Sequence, residues 1–159
     1  MTKLTYAAAL LLAGTFAATN PRVAIAQGEA DAGIKWGPAP AVFPAGAQMA
    51  VMQGDPAGRG LFTVRLRLPN GYKIAPHTHP TDENVTVLSG SFSVGMGKTI
   101  EVNKMMTLKP GGFVTAPANE AHYAMARGVT VVQVHAMGPF AMTYVNPADT
   151  PKLTNATPR

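Results

Sequence analysis

Gly71-Tyr72-Lys73-Ile74-Ala75-Pro76-His77-Thr78-His79-Pro80-Thr81-Asp82-Glu83-Asn84-Val85-Thr86-Val87-Leu88-Ser89-Gly90 is the stretch on which the reading of this chain turns. Its two histidines, His77 and His79, stand two positions apart, and on an extended strand residues i and i+2 point to the same face. Glu83 arrives four residues after His79, past a bend at Pro80, and can turn back toward that face. Two imidazoles and a carboxylate form a borderline-hard donor set suited to Zn, Mn, Fe, Ni or Cu. A further candidate, His122, ends the run Pro117-Ala118-Asn119-Glu120-Ala121-His122, so all but one of the chain's four histidines fall in two compact motifs. The pattern predicts a metal site.

Around this stretch the chain reads as short strands broken by turns. Phe62-Thr63-Val64-Arg65-Leu66-Arg67-Leu68 alternates apolar and polar side chains, the mark of a strand with one buried face. Phe62, Val64, Leu66 and Leu68 are expected in the core, with Thr63, Arg65 and Arg67 toward solvent. Pro69-Asn70-Gly71 is a turn. Further strands are expected at 48–53, 72–77, 84–89, 91–96, 105–108, 112–116, 121–127, 129–137 and 140–146. The breaks fall at Ser89-Gly90, Gly97-Lys98, Pro110-Gly111-Gly112, Arg127-Gly128 and Gly138-Pro139. No segment sustains a helical period for three turns, although 99–104 has room for a short one. Many short strands with closely spaced turns predict an all-β sandwich or barrel.

The ends read differently. Residues 1–26 carry Lys3, an apolar run from Tyr6 to Ala18 and a small-residue cleavage signal at Ala24-Ile25-Ala26, the features of a secretory leader. The apolar run is too short for a membrane span. The expected mature protein starts at Gln27 and is periplasmic or secreted, with no membrane attachment after cleavage. Residues 27–46 are Pro-rich and read as irregular, with Trp36 and Phe43 as anchors onto a domain over 47–147; residues 148–159 read as a surface tail.

The 159 residues suffice for one domain with a core of its own. The formal net charge of +5 falls to +3 once Lys3 and Arg22 leave with the leader, and the remaining basic residues are scattered. A nucleic-acid surface needs a concentrated basic face, and none is visible. With no cysteine in the chain, disulfides and thiolate ligands are both excluded, so metal chemistry must run on nitrogen and oxygen.

Gly71-x5-His77-x-His79-x3-Glu83-x6-Gly90 resembles the first motif of the cupin superfamily at every spacing. The family's second motif is similar to Gly111-x5-Pro117-Ala118-Asn119-Glu120-Ala121-His122, with Asn119 in place of the family's Gly and Ala126 in place of its Asn. Asn tolerates positive φ better than most residues, so the turn can survive the first change. The second falls at a position that is not a ligand in the family. The resemblance implies a double-stranded β-helix, a jelly-roll barrel. It also implies His77, His79, Glu83 and His122 as ligands of one divalent transition metal ion inside the barrel, and a homodimer paired through sheet edges.

Other residues carry weaker signals. Gln133 and His135 share a face of their strand. If that face is interior they can contact substrate or steady a ligand from behind; if exterior they are solvated, and apolar neighbours on both sides leave the choice open. Tyr123 is expected to point away from the face of His122, Glu120 to be solvated and Asp82 to sit at the barrel rim. The nine methionines read as flexible core filling. A metal with open positions supports Lewis-acid or O₂ chemistry. No Arg or Lys accompanies either motif on a ligand face, so a phosphate clamp is not apparent. The expected function is a metal-dependent enzyme on a small organic substrate, with a dioxygenase favoured. The alternatives are a metal-dependent isomerase or lyase, and a module that binds a metal or metabolite without turnover.

Overall fold

The structure is a computed structural model that describes residues 33–152. The expected leader and the last residues of the tail lie outside the described residues. Nine strands, all paired antiparallel, form one curled sheet: β1 (Gly37–Pro38), β2 (Gln48–Gln53), β3 (Leu61–Leu68), β4 (Lys73–Thr78), β5 (Glu83–Met96), β6 (Met106–Leu108), β7 (Phe113–Ala116), β8 (His122–Met137) and β9 (Thr143–Tyr144). The order runs β1-β2-β3-β8-β4-β9, and β5 pairs with β6, β7 and β8. Two 3₁₀ turns, Val102–Lys104 and Pro147–Asp149, are the helical elements among the described residues. No helix there is long and apolar enough to cross a membrane. The fold is the all-β jelly roll expected.

The alternation in β3 does what its pattern requires. Phe62, Val64, Leu66 and Leu68 are all buried, each contributing about 1.5–3 kcal/mol of transfer free energy. They meet Val85 and Val87 of β5, Val132 and Val134 of β8, and Phe92 and Val94 from the second half of β5 in one cluster. The polar side of β3 departs from expectation. Thr63 is buried, because it lies opposite His135 and its hydroxyl hydrogen-bonds that ring's Nδ1 at 2.9 Å. Arg65 and Arg67 are half-buried: Nε of Arg65 donates to Gln133 Oε1 at 3.0 Å, and Arg67 lies 4.1 Å above the Trp36 ring.

Two expected breaks are continuous strand. Ser89-Gly90 sits within β5 and Arg127-Gly128 within β8, and the two long strands run side by side from Glu83↔Ala136 to Met96↔His122 with register shifts near residues 87–91. Gly90 makes the bend. Its φ is +81°, and a Cβ there would stand 2.5 Å from the Val129 carbonyl oxygen and from Thr130 Oγ1. Thr130, fully buried, accepts the Ser91 N–H at 3.2 Å across the same bulge. Gly90→Ala combines a left-handed backbone with a backbone collision, and is expected to destabilise the protein by about 2 kcal/mol or more. The readout is the urea midpoint at unchanged m value; a loss under about 0.5 kcal/mol would contradict this account of the bulge.

β1 lies inside the segment expected to be irregular and pairs with β2, so the sheet begins before residue 47. The strand expected at 140–146 is reduced to Thr143–Tyr144. None of the methionines among the described residues is fully buried: Met52, Met96, Met106 and Met137 are exposed, whereas Met49 and Met142 are half-buried and pack against the core from its edge. The core is instead built of β-branched and aromatic side chains, which leave few gaps for a flexible thioether.

Candidate metal centre

β4 carries His77 and ends at Thr78, so His79 follows immediately and the chain turns through Pro80 to Asp82 before Glu83 opens β5. His122 opens β8 directly opposite His77 in the ladder. Two hydrogen bonds close the rim over this junction. The Asn119 N–H donates to the His79 carbonyl at 2.8 Å, and the Ala118 N–H donates to Asp82 Oδ1 at 2.8 Å. Asn119 holds the turn with φ at 63°, the conformation its place in the motif requires. Asp82 is thereby a rim clip.

The three imidazoles converge. Ring centroids are 4.3 Å apart for His77 and His122, 4.9 Å for His77 and His79, and 5.2 Å for His79 and His122. One nitrogen from each lies within 4.8 Å of the others, and all three residues are buried. Each Nδ1 is tied to a backbone carbonyl: His77 to Ala75 at 2.7 Å, His79 to Ala141 at 2.6 Å and His122 to Glu120 at 3.1 Å. A carbonyl can only accept, so each Nδ1 carries the proton and each neutral ring keeps its lone pair on Nε2. The Nε2 atoms of His79 and His122 are buried with no hydrogen-bond partner. Buried polar atoms without partners are costly, and two such nitrogens grouped with the His77 ring are what a cation would satisfy. The donor set fits a divalent transition metal.

Glu83 lies beside this trio. Its Oε2 is 3.4 Å from His122 Nε2 and 3.7 Å from His79 Nε2. Burial alone would push its carboxyl up, but contact with His122 and the charges of His79, His122 and His77 win, holding it below the usual carboxylate range. Glu83 is therefore the anion of the site. Burial, then the charge of His122, lowers His77 to about 4. Burial also lowers His79. Near neutral pH these two rings are uncharged, the form in which imidazole binds a metal.

The cavity beside His77 and His122 has a volume of about 20 Å³. Apart from His77, Glu83 and His122 its wall is apolar, with Leu66, Ile74, Val85, Phe92 and Val132 among its side chains. Phe140 lies tilted against His79 with centroids 4.9 Å apart, and Tyr144 lies 6.0 Å from His77.

Gln133 and His135, considered for an interior role, face outward. Asn84 pairs with His135 and Thr86 with Gln133, whereas the interior residues Glu83 and Val85 pair with Ala136 and Val134. The Gln133 amide donates to His135 Nε2 at 3.1 Å, completing an exterior network with Arg65 and Thr63. Neither supports a metal ligand. Tyr123 points away from His122 as expected, but it is buried beneath Glu101, whose N–H donates to its hydroxyl at 2.9 Å. The parts of the site that sequence reasoning missed are the carbonyls of Ala75, Glu120 and Ala141 and the ring of Phe140. A carbonyl leaves no mark in the amino-acid alphabet. Phe140, two residues beyond the Gly138 turn signal, had only its apolar character to suggest it.

Comparison with known proteins places this geometry. Residues 25–143 match a family model described as a domain of unknown function, DUF4437. No curated protein matches the chain. Among solved structures it is similar to the polyketide cyclase RemF from Streptomyces resistomycificus, at 16% identity and TM-score 0.61, covering 76% of this chain and 85% of that one. It is also similar to a putative acetylacetone dioxygenase from Methylibium petroleiphilum PM1, at 22% identity and TM-score 0.58, covering 89% and 90%. An RmlC-like cupin from Shewanella frigidimarina matches at 14% identity and TM-score 0.52, covering 68% and 87%. At these identities the likeness establishes the fold, which is that of the cupins.

Proposed function

Because the chain belongs to the DUF4437 family and has the cupin fold, we propose that it is an exported, metal-dependent enzyme acting on a small organic substrate, with an O₂-dependent dioxygenation as its reaction. One observation carries this reading: three imidazoles, each locked by a carbonyl at Nδ1, present their Nε2 atoms together inside an apolar barrel. His77, His79 and His122 would hold the ion, with Glu83 as a fourth ligand supplying the negative charge. A divalent transition metal supplies Lewis-acid polarisation of a substrate oxygen and, where redox-active, exchange of electrons with O₂. The chain's own part is to keep the imidazoles neutral and oriented, to exclude water with its apolar wall, and to hold the Glu83 carboxylate beside them as an anion.

The absence of cations in the cavity wall favours an uncharged substrate over a phosphorylated sugar. The solved neighbours named as a dioxygenase and a cyclase lend the organic-substrate reading their support without deciding between those reactions. The small cavity favours a second reading, a module that holds its ion without turnover. Export rests on the leader features of residues 1–26.

The test is to purify the protein untagged from an exporting host, sequence its N-terminus, measure metals by mass spectrometry and follow O₂ uptake with small neutral oxygen-bearing substrates. The expected result is a chain beginning at Gln27, near one equivalent of Mn, Fe, Ni or Cu, and metal-dependent O₂ uptake. Stoichiometric metal with no uptake or product on any substrate would instead establish the binding module; stoichiometric Zn would redirect the search to isomerisation or elimination.

A further inference from the structure

Phe43 lies in the segment between β1 and β2, outside any strand, yet it is buried in the core. Its ring lines two cavities. One is the space of about 20 Å³ at the histidines, and the other is a neighbouring apolar space of about 30 Å³ beside Phe62 and Phe140. Both are also lined by Glu83, Leu66 and Val134, so Phe43 is one of four side chains that the two cavities share. Phe140 stacks parallel to it with centroids 6.2 Å apart.

The backbone around Phe43 is held in an unusual way. Two tyrosine hydroxyls clamp the carbonyls on either side of it: Tyr72 donates to Pro44 at 2.5 Å and Tyr144 donates to Val42 at 2.9 Å. Backbone bonds to the segment are sparse, with Ala39 N–H to Ala47 and Phe43 N–H to Pro40. Release of the segment must break both hydroxyl–carbonyl hydrogen bonds and lift the Phe43 ring from its contact with Phe140.

Neither cavity holds more than a water or two, so an organic substrate does not fit while Phe43 is seated. We propose that Phe43 sets the size of ligand this centre admits, as a plug on an arm latched by Tyr72 and Tyr144. With the arm seated, the site takes only water-sized ligands. With the arm displaced, the two cavities and the volume of the ring join into one apolar chamber for an uncharged, hydrocarbon-rich molecule. The substrate part rests on the metal-enzyme reading above; the plug itself needs no metal.

Benzene uptake by the metal-free full chain, followed by NMR of the Val85, Val132 and Val134 methyl groups, tests the plug directly. Phe43→Ala, or Phe43→Leu should the alanine variant not fold, reports on the chamber and is expected to bind benzene at least tenfold more tightly than the unaltered protein. Tyr72→Phe combined with Tyr144→Phe keeps the ring and loosens only the arm, and is expected to raise the uptake rate at least tenfold. Equal affinity in the Phe43 variants, or an unchanged uptake rate in the latch variant, would overturn the proposal. A protein that fails to bind metal would sink the metal-enzyme reading while leaving this result standing.

Discussion

His77→Ala is expected to lower the affinity of the protein for a divalent transition metal by more than about 100-fold, the upper range for loss of mere outer support to a ligand. His77 is the hub of the trio, with ring centroids within 5 Å of both His79 and His122, and its proton is fixed on Nδ1 by the Ala75 carbonyl. Its removal takes away one of three imidazoles and leaves two imidazoles and Glu83, a set that holds the ion with one fewer protein bond against water. Competition against a chelator of known affinity gives the measurement. His135→Ala serves as the control, since that ring lies on the outer face in contact with Thr63 and Gln133, and its affinity is expected to stay within about twofold of the parent. Equal losses in the two variants would mean that the effect is unfolding and not ligation.

The second large effect is acid lability of the metal-free protein. His77 titrates near 4 when folded, against a usual value of 6.5, because burial disfavours its charged form. Between those values the unfolded chain binds the proton and the folded chain does not, so stability is fully present above pH 6.5 and is lost as the pH falls toward 4. The shift corresponds to about 3 kcal/mol for this one residue. His79, also lowered by burial, acts in the same direction. Glu83 acts in a lower window: its folded carboxyl lies below the usual 4.5, so its contribution is present above that pH and disappears only in stronger acid. Urea denaturation at pH 7, 5.5 and 4.5 is expected to show a steep loss that begins below 6.5, and His77→Ala is expected to flatten it. A stability profile level from pH 7 to 4.5 would contradict the burial of neutral imidazoles.

Much of the fold and the site could be read in the sequence because their determinants are local. Period-two alternation in β3 needs no tertiary knowledge, and the His-x-His pair and Glu83 follow from strand geometry. Asn119 was legible too, since its place in the motif demands positive φ and the residue tolerates it. What escaped depends on register and on the backbone. Gly90 and Gly128 read as turns because a bulge and a turn both ask for positive φ; only the pairing of β5 with β8 tells them apart. Gln133 and His135 have apolar neighbours on both sides in sequence, so their face is decided by which residues of β3 and β5 they oppose. Thr63 was assigned to solvent by its polarity and is buried because His135 gives its hydroxyl a partner. The two-tyrosine latch joins residues far apart in the chain, and one acceptor, the Val42 carbonyl, lies 102 residues from its donor.

His77, His79 and His122 are expected to hold one metal ion through their Nε2 atoms. An anomalous difference map collected at the absorption edge of the metal found in the purified protein tests it most directly. The expected result is a single peak among the three rings, within metal–nitrogen bonding distance (about 2.0–2.1 Å for zinc) of each Nε2. A protein carrying one equivalent of metal whose peak lies elsewhere, with the three imidazoles unliganded, would contradict it.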